Sequence, residues 1–434
     1  MNRKFVIIQM SKRQKEKRMK KIIALFFALT LTLSLCACGQ KTPGTSTTGG
    51  EKTTVTVWTT YTEDQLAYLK NSAEEYNKAH ENAQVVVEEQ PYQDFQAKVM
   101  QAVRAGNGPN IIIDYSSTAA NYLTDDLVID FKDYVSKDYP STVDEGAYKE
   151  ATSFTDGGQH ILPLFTSGPI FFYNTDIYEE LGLKAPETWE ELTENSRKIK
   201  EAYPDKYGFA ADSLTDLGQT LFEQAGNEII DAEKRVVTFN TPEVAETVNW
   251  FADGVKEGLF MLNPTDNYFS GDFNSSTLVS YIGSVAGEPY LTLENYGMAP
   301  LPQGGKVEWT PSWNRGVIVF KVDEKKDAVA ADFGLYLASP EVNAGFCKAA
   351  NYVSPYAATR ETETYKEHIN GNKALSCLRP ETAGGYPSIS GTQTVRASIQ
   401  EVLTQVATNV YDAETALANA EKTCNTEFEN QYNK

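Results

Sequence analysis

The residues best placed to do chemistry are two small hydroxyls, Thr166 and Ser167. They lie between an apolar run, Ile161 to Phe165, and an aromatic one, Ile170 to Tyr173. Both runs read as strands. Pro169 fixes its own φ and biases Gly168 toward extended geometry, so the break need not end the strand direction. Such a segment suits a backbone passing from one domain into another while small hydroxyls face a cleft. The chemistry on offer is hydrogen bonding to a ligand. No catalytic set competes with it: there is no Gly-x-Ser-x-Gly elbow, no Ser-x-x-Lys with partner motifs, no zinc spacing and no phosphate-binding glycine loop. His80, His160 and His368 are the only histidines, and none lies in a triad or metal pattern. Paired carboxylates abound, as 59 acidic residues dictate, so they mark no site. The expectation is a protein that is not an enzyme and carries no cofactor or metal.

The elements that must position these groups alternate. Thr54 to Trp58 reads as a strand, and Thr62 with Gln65 has the spacing of a capping box for a helix bearing Leu66, Leu69, Ala73 and Tyr76. Val85 to Val87 is a second strand, a helix spans about Gln93 to Arg104, and Ile111 to Ile113 is a buried strand. Thr188 and Glu191 form another capping box. Thr241-Pro242 and Ser339-Pro340 each pair an N-cap with proline at the first helical position. Gly316 to Val322 is a β-branched strand, and from Thr394 the chain looks helical, in two or more pieces. Apolar strands separated by amphipathic helices argue for an α/β fold with parallel sheets, whose ligands sit beyond the carboxyl ends of the strands.

The N-terminus addresses the chain outward. Lys20 and Lys21 precede an apolar run, Ile22 to Ala37, that is short for a bilayer span and fits a signal-peptide core. Residues 1–37 read as that signal, which is already complete from Met19. The run ends Leu35-Cys36-Ala37-Cys38-Gly39, which resembles a bacterial lipobox with Cys38 lipidated. Residues 38–51 are rich in Gly, Ser and Thr and read as a flexible tether. The folded part, from Lys52, is long enough for two cores.

The whole chain carries 39 basic and 59 acidic residues. Nine of the basic residues and one acid, Glu16, precede Cys38, which leaves 30 against 58 and a net charge near −28. That acidity argues against nucleic acid and against adhesion to anionic lipid, but a pocket can still carry its own arginine for an anion. Cys347, Cys377 and Cys424 are widely spaced and odd in number. They form no framework; one bridge among them stays open beside the plainer reading of three buried thiols.

The stretch Gln159–Leu192 joins Leu-Pro, small polar residues, Pro, aromatic-Tyr-Asn, Leu-Gly-Leu and Thr-Trp-Glu-Glu-Leu. It resembles the first interdomain crossing of extracellular solute-binding protein family 1, the sugar-binding proteins of ABC importers. Arg104 to Pro109, Tyr296 to Pro302, Leu337 to Val342 and Asn351 to Pro355 resemble further blocks of that family in the same order. The resemblance implies a two-lobed, periplasmic-binding-protein-like α/β fold, each lobe a mostly parallel sheet flanked by helices, closing on a ligand at the interlobe cleft. The lobes are expected at 52–165 with 286–335 and at 166–285 with 336–434, joined by hinge crossings near Thr166, Gly283 and Val322.

Matching to the family's motifs selects the site. Tyr61 follows the first strand, Tyr92 precedes the second helix, and Asp114, Tyr115 and Ser116 follow the third strand. Thr166 and Ser167 lie in the crossing. Tyr281 and Ser284 lie in a block similar to the second crossing, Trp313 and Arg315 in a polar loop feeding a strand, and Tyr352 in the Tyr-Val-Ser-Pro block. Trp189 is better read as packing for its own helix. A sharper likeness joins Arg104-Ala-Gly-Asn, the Thr-Ser-Gly-Pro crossing and Gly391 to Arg396, which together resemble the glycerol-3-phosphate-binding branch. There the tyrosine matching Tyr352 and the arginine matching Arg396 hold the phosphate. The chain departs from that branch at Ser116, at Thr166-Ser167 and at Trp313-Asn314-Arg315, where Trp313 would add a stacking surface for a sugar.

The resemblance implies a substrate-binding lipoprotein of an ABC importer. It would be a monomer held by lipid on the extracellular face of the cell membrane, passing a mono- or oligosaccharide to permease subunits. A receptor for glycerol-3-phosphate or another polyol phosphate is the alternative. A secreted enzyme or an adhesive lipoprotein ranks below both.

Overall fold

Val55 and Val57 alternate with less buried neighbours and are themselves fully buried, as a strand with one covered face requires. They open the part of the chain that the computed structural model describes, residues 52–91, 94–123, 125–265 and 267–432. The leader, Cys38, the tether and Tyr92 lie outside the described residues.

Two mixed sheets organise the α/β, two-lobed fold. The first runs Ala83–Glu89, Thr53–Thr59, Ile111–Tyr115, Arg315–Val319, Leu162–Phe165. Its first three strands are parallel, and Arg315–Val319 is antiparallel to both neighbours. The second runs Tyr296–Ala299, Pro169–Asn174, Ser280–Ser284, Ala210–Ala211, with only the last pair parallel. In strand direction each sheet is mostly parallel, as expected: four of five strands run one way in the first and three of four in the second, and the reversed strands are Arg315–Val319 and Pro169–Asn174.

Leu162–Phe165 belongs to the first sheet, Pro169–Asn174 to the second, and Thr166 to Gly168 join them. After Ser284 the chain stays with the second sheet as far as Ala299, because Tyr296–Ala299 pairs with Pro169–Asn174. It rejoins the first sheet only at Arg315. Nor does it leave near Val322. Helix Glu324–Leu337 packs on Thr53–Thr59, and helix Pro340–Ala350 packs on Glu63–Ala79 through Phe346, which meets Tyr61, Tyr68 and Phe165. The chain reaches helix Leu214–Gln224 again with helix Thr392–Ala407.

The caps divide by geometry. Thr188 accepts from the Glu191 N–H at 3.2 Å and Thr241 from the Val244 N–H at 3.3 Å, as their spacing predicts. Thr62 and Ser339 take the N-cap place without a side-chain bond to their helices; Ser339 Oγ donates instead to the Tyr336 carbonyl at 2.6 Å. Cys347, Cys377 and Cys424 are all buried and unbridged.

Candidate ligand-binding cleft

Trp313 is held where several segments meet. Its N–H donates to the Ser167 carbonyl at 2.9 Å, and the Ser312 N–H donates to the Gly384 carbonyl at 2.8 Å. Asn314 donates to Ser312 Oγ at 3.1 Å and to Glu150. The indole therefore stands on a loop tied to the first crossing, to the 383–391 segment and to helix Glu145–Thr152. It walls a cavity of about 850 Å³ together with Tyr115, Tyr386 and the start of helix Thr392–Ala407. That volume suits a small-molecule site of ~300–1,000 Å³.

The cavity is polar with little net charge. Gln96, Asn121, Gln219, Ser388 and Gln393 line it, and its charged lining among the described residues is Glu150, Asp216 and Arg396. Arg396 is already engaged: its guanidinium lies 3.7 Å from the Asp216 carboxylate and 5.1 Å from the Tyr386 ring centre. The hydroxyls of Tyr386 and Ser388 are buried with no hydrogen-bond partner in the protein. A buried hydroxyl left so costs about 1–3 kcal/mol, and a hydroxyl-rich ligand would relieve it. Glu150 accepts from Ser116 Oγ at 2.5 Å as well as from Asn314, and burial pushes its carboxyl up to about 7.

Close helix packing sets the far wall. Ser213 caps helix Leu214–Gln224, accepting from the Asp216 N–H at 3.1 Å. A Cβ at Gly218 would meet Ile399 Cγ2 at 2.3 Å, so only glycine lets this helix lie so near Thr392–Ala407. That approach brings Asp216 to Arg396.

Arg315 organises a second group. It pairs with Tyr115 across antiparallel strands, and its guanidinium lies over the Tyr115 ring, with Tyr352 on another side at 6.0 Å. The Tyr61 hydroxyl lies near it as well, and burial raises that hydroxyl well above its usual range. Asp114 accepts from Gln96 at 3.1 Å and from the Tyr115 N–H at 2.8 Å, its carboxyl raised by burial.

The residues expected from the sequence are thus divided. Trp313, Tyr115 and Arg396 wall the main cavity; Asp114 and Arg315 wall a smaller one beside it with Tyr115. Ser284 accepts from the Ala286 N–H at 3.1 Å and borders two side cavities. Ser116 is buried and serves Glu150. Thr166 is bonded through its backbone to Val353, with its hydroxyl buried and unpartnered. Ser167 gives its carbonyl to Trp313. Tyr61 packs edge-on against Phe346. Tyr281 is 1 % exposed and stacks on Phe172, so it is chiefly a core residue that touches a side cavity. Tyr352 stacks on Phe165 and faces Arg315; it is not among the residues that wall the main cavity with Arg396. Trp189 is buried and donates to Gln224 at 2.7 Å, a packing role as expected.

Gln96, Glu150, Asp216, Gln219 and Tyr386 were not anticipated. A readable signal existed for two of them: Thr215, Asp216, Gln219 and Thr220 put polar side chains beside the buried Leu214, Leu217, Leu221 and Phe222 of one helix. Gly384-Gly385-Tyr386-Pro387 is a turn cluster carrying one aromatic ring.

Comparison with known proteins agrees with this architecture. The sn-glycerol-3-phosphate-binding periplasmic protein of Pectobacterium atrosepticum is 26% identical over 338 residues, covering 70% of this chain and 75% of that protein. Its counterpart from Salmonella typhimurium is 24% identical over 372 residues, 79% and 82% of the two chains. Among solved structures, the cyclic alpha-maltosyl-1,6-maltose binding protein of Arthrobacter globiformis superposes with a TM-score of 0.77 at 20% identity, over 87% of this chain and 100% of that one. A cyclo/maltodextrin-binding protein complexed with maltotetraose gives 0.73 at 21% identity, over 88% and 99%. Residues 71–372 match the family described as bacterial extracellular solute-binding protein. A two-lobed chain with a polar, aromatic-walled cavity and a family match across most of its length is accounted for in one way: it belongs to the bacterial extracellular solute-binding proteins.

Proposed function

We propose that the protein is the substrate-binding lipoprotein of an ABC importer, anchored through Cys38, and that it captures a neutral carbohydrate by closure of its lobes and presents it to a membrane permease. The observation that carries the ligand class is the wall of the main cavity. Trp313 offers an aromatic face, uncharged amides and hydroxyls surround it, and the arginine present is already paired with Asp216. An aromatic face suits the C–H surface of a sugar ring, and fixed polar groups suit its hydroxyls. The lobes are proposed as 52–165 with 312–377, and 169–299 with 392–432, the segments between serving as crossings.

A polyol phosphate is the second reading. It is favoured by the start of helix Thr392–Ala407, where Gly391, Thr392 and Gln393 line the cavity beside Arg396. A helix N-terminus with an arginine attracts an anion. The names of the 24–26% identical relatives point the same way.

A thermal-shift screen against sugars, oligosaccharides and polyol phosphates separates the two, because a ligand that binds only the native state raises its melting midpoint. For a carbohydrate, Trp313→Ala weakens binding roughly 5- to 150-fold. A phosphate-bearing ligand whose affinity is lost in Arg396→Ala but kept in Trp313→Ala sinks the carbohydrate reading. Lipid anchoring is checked by radiolabelled lipid incorporation, which Cys38→Ala abolishes; unchanged labelling refutes it.

A further inference from the structure

Tyr268 is 80 % exposed and Tyr290 is 72 %, the two highest exposures among the large apolar side chains described. Neither belongs to a core. Both wall a cavity of about 450 Å³ with Ser270, Ala286 and Gly287. Exposed aromatic rings gathered at one concavity mark an interaction site.

Their backbones are fixed although their rings are bare. Asp212 accepts from the Phe269 N–H at 2.7 Å, beside Tyr268. Asn274 donates to the Tyr290 carbonyl at 3.1 Å and accepts from the Thr292 and Leu293 N–H groups at 2.8 and 3.2 Å. Rings presented on a pinned frame lose little freedom on binding, as an aromatic recognition surface requires.

The position of this cavity identifies its occupant. Asp216 and Trp313 wall both the main cavity and a middle one of about 280 Å³. Asp212, Tyr268 and Ser284 wall both the middle cavity and the one bearing the two tyrosines. Each cavity therefore adjoins the next, from the one at the Trp313 loop through the middle one to the one at Tyr290. We propose that Tyr268 and Tyr290 form an outer subsite for the distal units of an oligosaccharide whose inner unit stacks on Trp313. This rests on the carbohydrate reading and adds chain length to it. A single sugar or a small polyol ester would leave the outer rings untouched.

The test is calorimetry on the full-length chain with short and long members of the malto-, cello-, xylo- and manno-oligosaccharide series, and with sn-glycerol-3-phosphate. Wild-type protein binds the long member of one series more tightly than the short one. In Tyr268→Ala/Tyr290→Ala the long member weakens toward the short one, by about 3- to 10-fold for each ring removed, and the short one is unchanged. Both side chains are at the surface, so the variant's melting midpoint should stay close to wild type, which separates lost contact from lost fold. Equal affinity for long and short members overturns the outer subsite and leaves the Trp313 site standing. So does full affinity of the double variant for the long member, which would assign the rings to a protein partner instead. Binding of the phosphate with no response to any sugar series overturns the carbohydrate reading itself.

Discussion

The Arg315 guanidinium carbon lies 4.3 Å from the centre of the Tyr115 ring, and its Nη2 donates to the hydroxyl of the same residue at 2.6 Å. One cation thus holds a 37 % exposed ring upright at the cavity wall. Arg315→Met keeps the aliphatic packing and removes the cation. It should cost about 1–2 kcal/mol of stability, and a double-mutant cycle with Tyr115→Phe should return a coupling of about 0.5–1.5 kcal/mol. Urea unfolding of the four proteins measures it. Additive effects would show that the pair is only adjacent.

Glu150 and Glu223 are both raised by burial to about 7, against an ordinary value of 4.5. Lys149 and Glu228 act on Glu223 in opposite directions. An acid whose folded value is raised binds its proton more tightly in the native state. Its contribution is complete below pH 4.5 and is lost as pH rises through about 7, so these two groups make stability fall across that window. Glu150→Gln should make the fall shallower, and the double Gln variant shallower still. Urea midpoints across a pH series provide the check; an unchanged slope would refute the assignment.

Gly218→Ala forces a methyl against Ile399 Cγ2 at 2.3 Å. The overpacking cost of about 1–3 kcal/mol exceeds the helix-propensity gain of about 1 kcal/mol, so the variant melts lower. Because the same contact brings Asp216 to Arg396, ligand affinity should drop with it. Gly271, which has nothing within 4 Å of its Cβ position, is the control. Gly271 lies in helix Ser270–Asn274, so Gly271→Ala should raise stability by up to about 1 kcal/mol and leave ligand affinity unchanged.

Closure predicts a change in size. If a ligand bridges the lobes, it stabilises a population in which they approach each other. Small-angle scattering should then give a smaller radius of gyration at saturation than without ligand. A constant radius with binding confirmed by calorimetry would rule hinge closure out for this protein.

Local chemistry made part of this legible in the sequence. The crossing at Thr166 to Gly168 shows because proline and glycine punctuate two apolar runs, and Thr188 shows as a cap because its partner is three residues away. The apolar triplets Val85–Val87 and Ile111–Ile113 find their sheet for the same reason. The return of the chain at Arg315 and the late departure after Val322 depend on which distant strand or helix offers a surface, and no local pattern carries that. The cavity divides along the same line. Trp313 is conspicuous as an indole in a polar loop. Gln96, Glu150 and Gln219 are ordinary helix residues until something faces them, and Glu150 becomes special only because Ser116 and Asn314 both donate to it.

The strand Arg315–Val319 lies inside the first sheet, between Ile111–Tyr115 and Leu162–Phe165, although it is the last of the five in the chain. As the polypeptide is made, its first lobe therefore has a gap in the middle, with two pairing edges unsatisfied, until the whole second sheet has already emerged. Non-local pairing of this kind is slow, and domains fold as units once their parts are present. The first sheet can therefore complete its pairing only when Arg315–Val319 has been made, nearly three quarters of the way along the sequence.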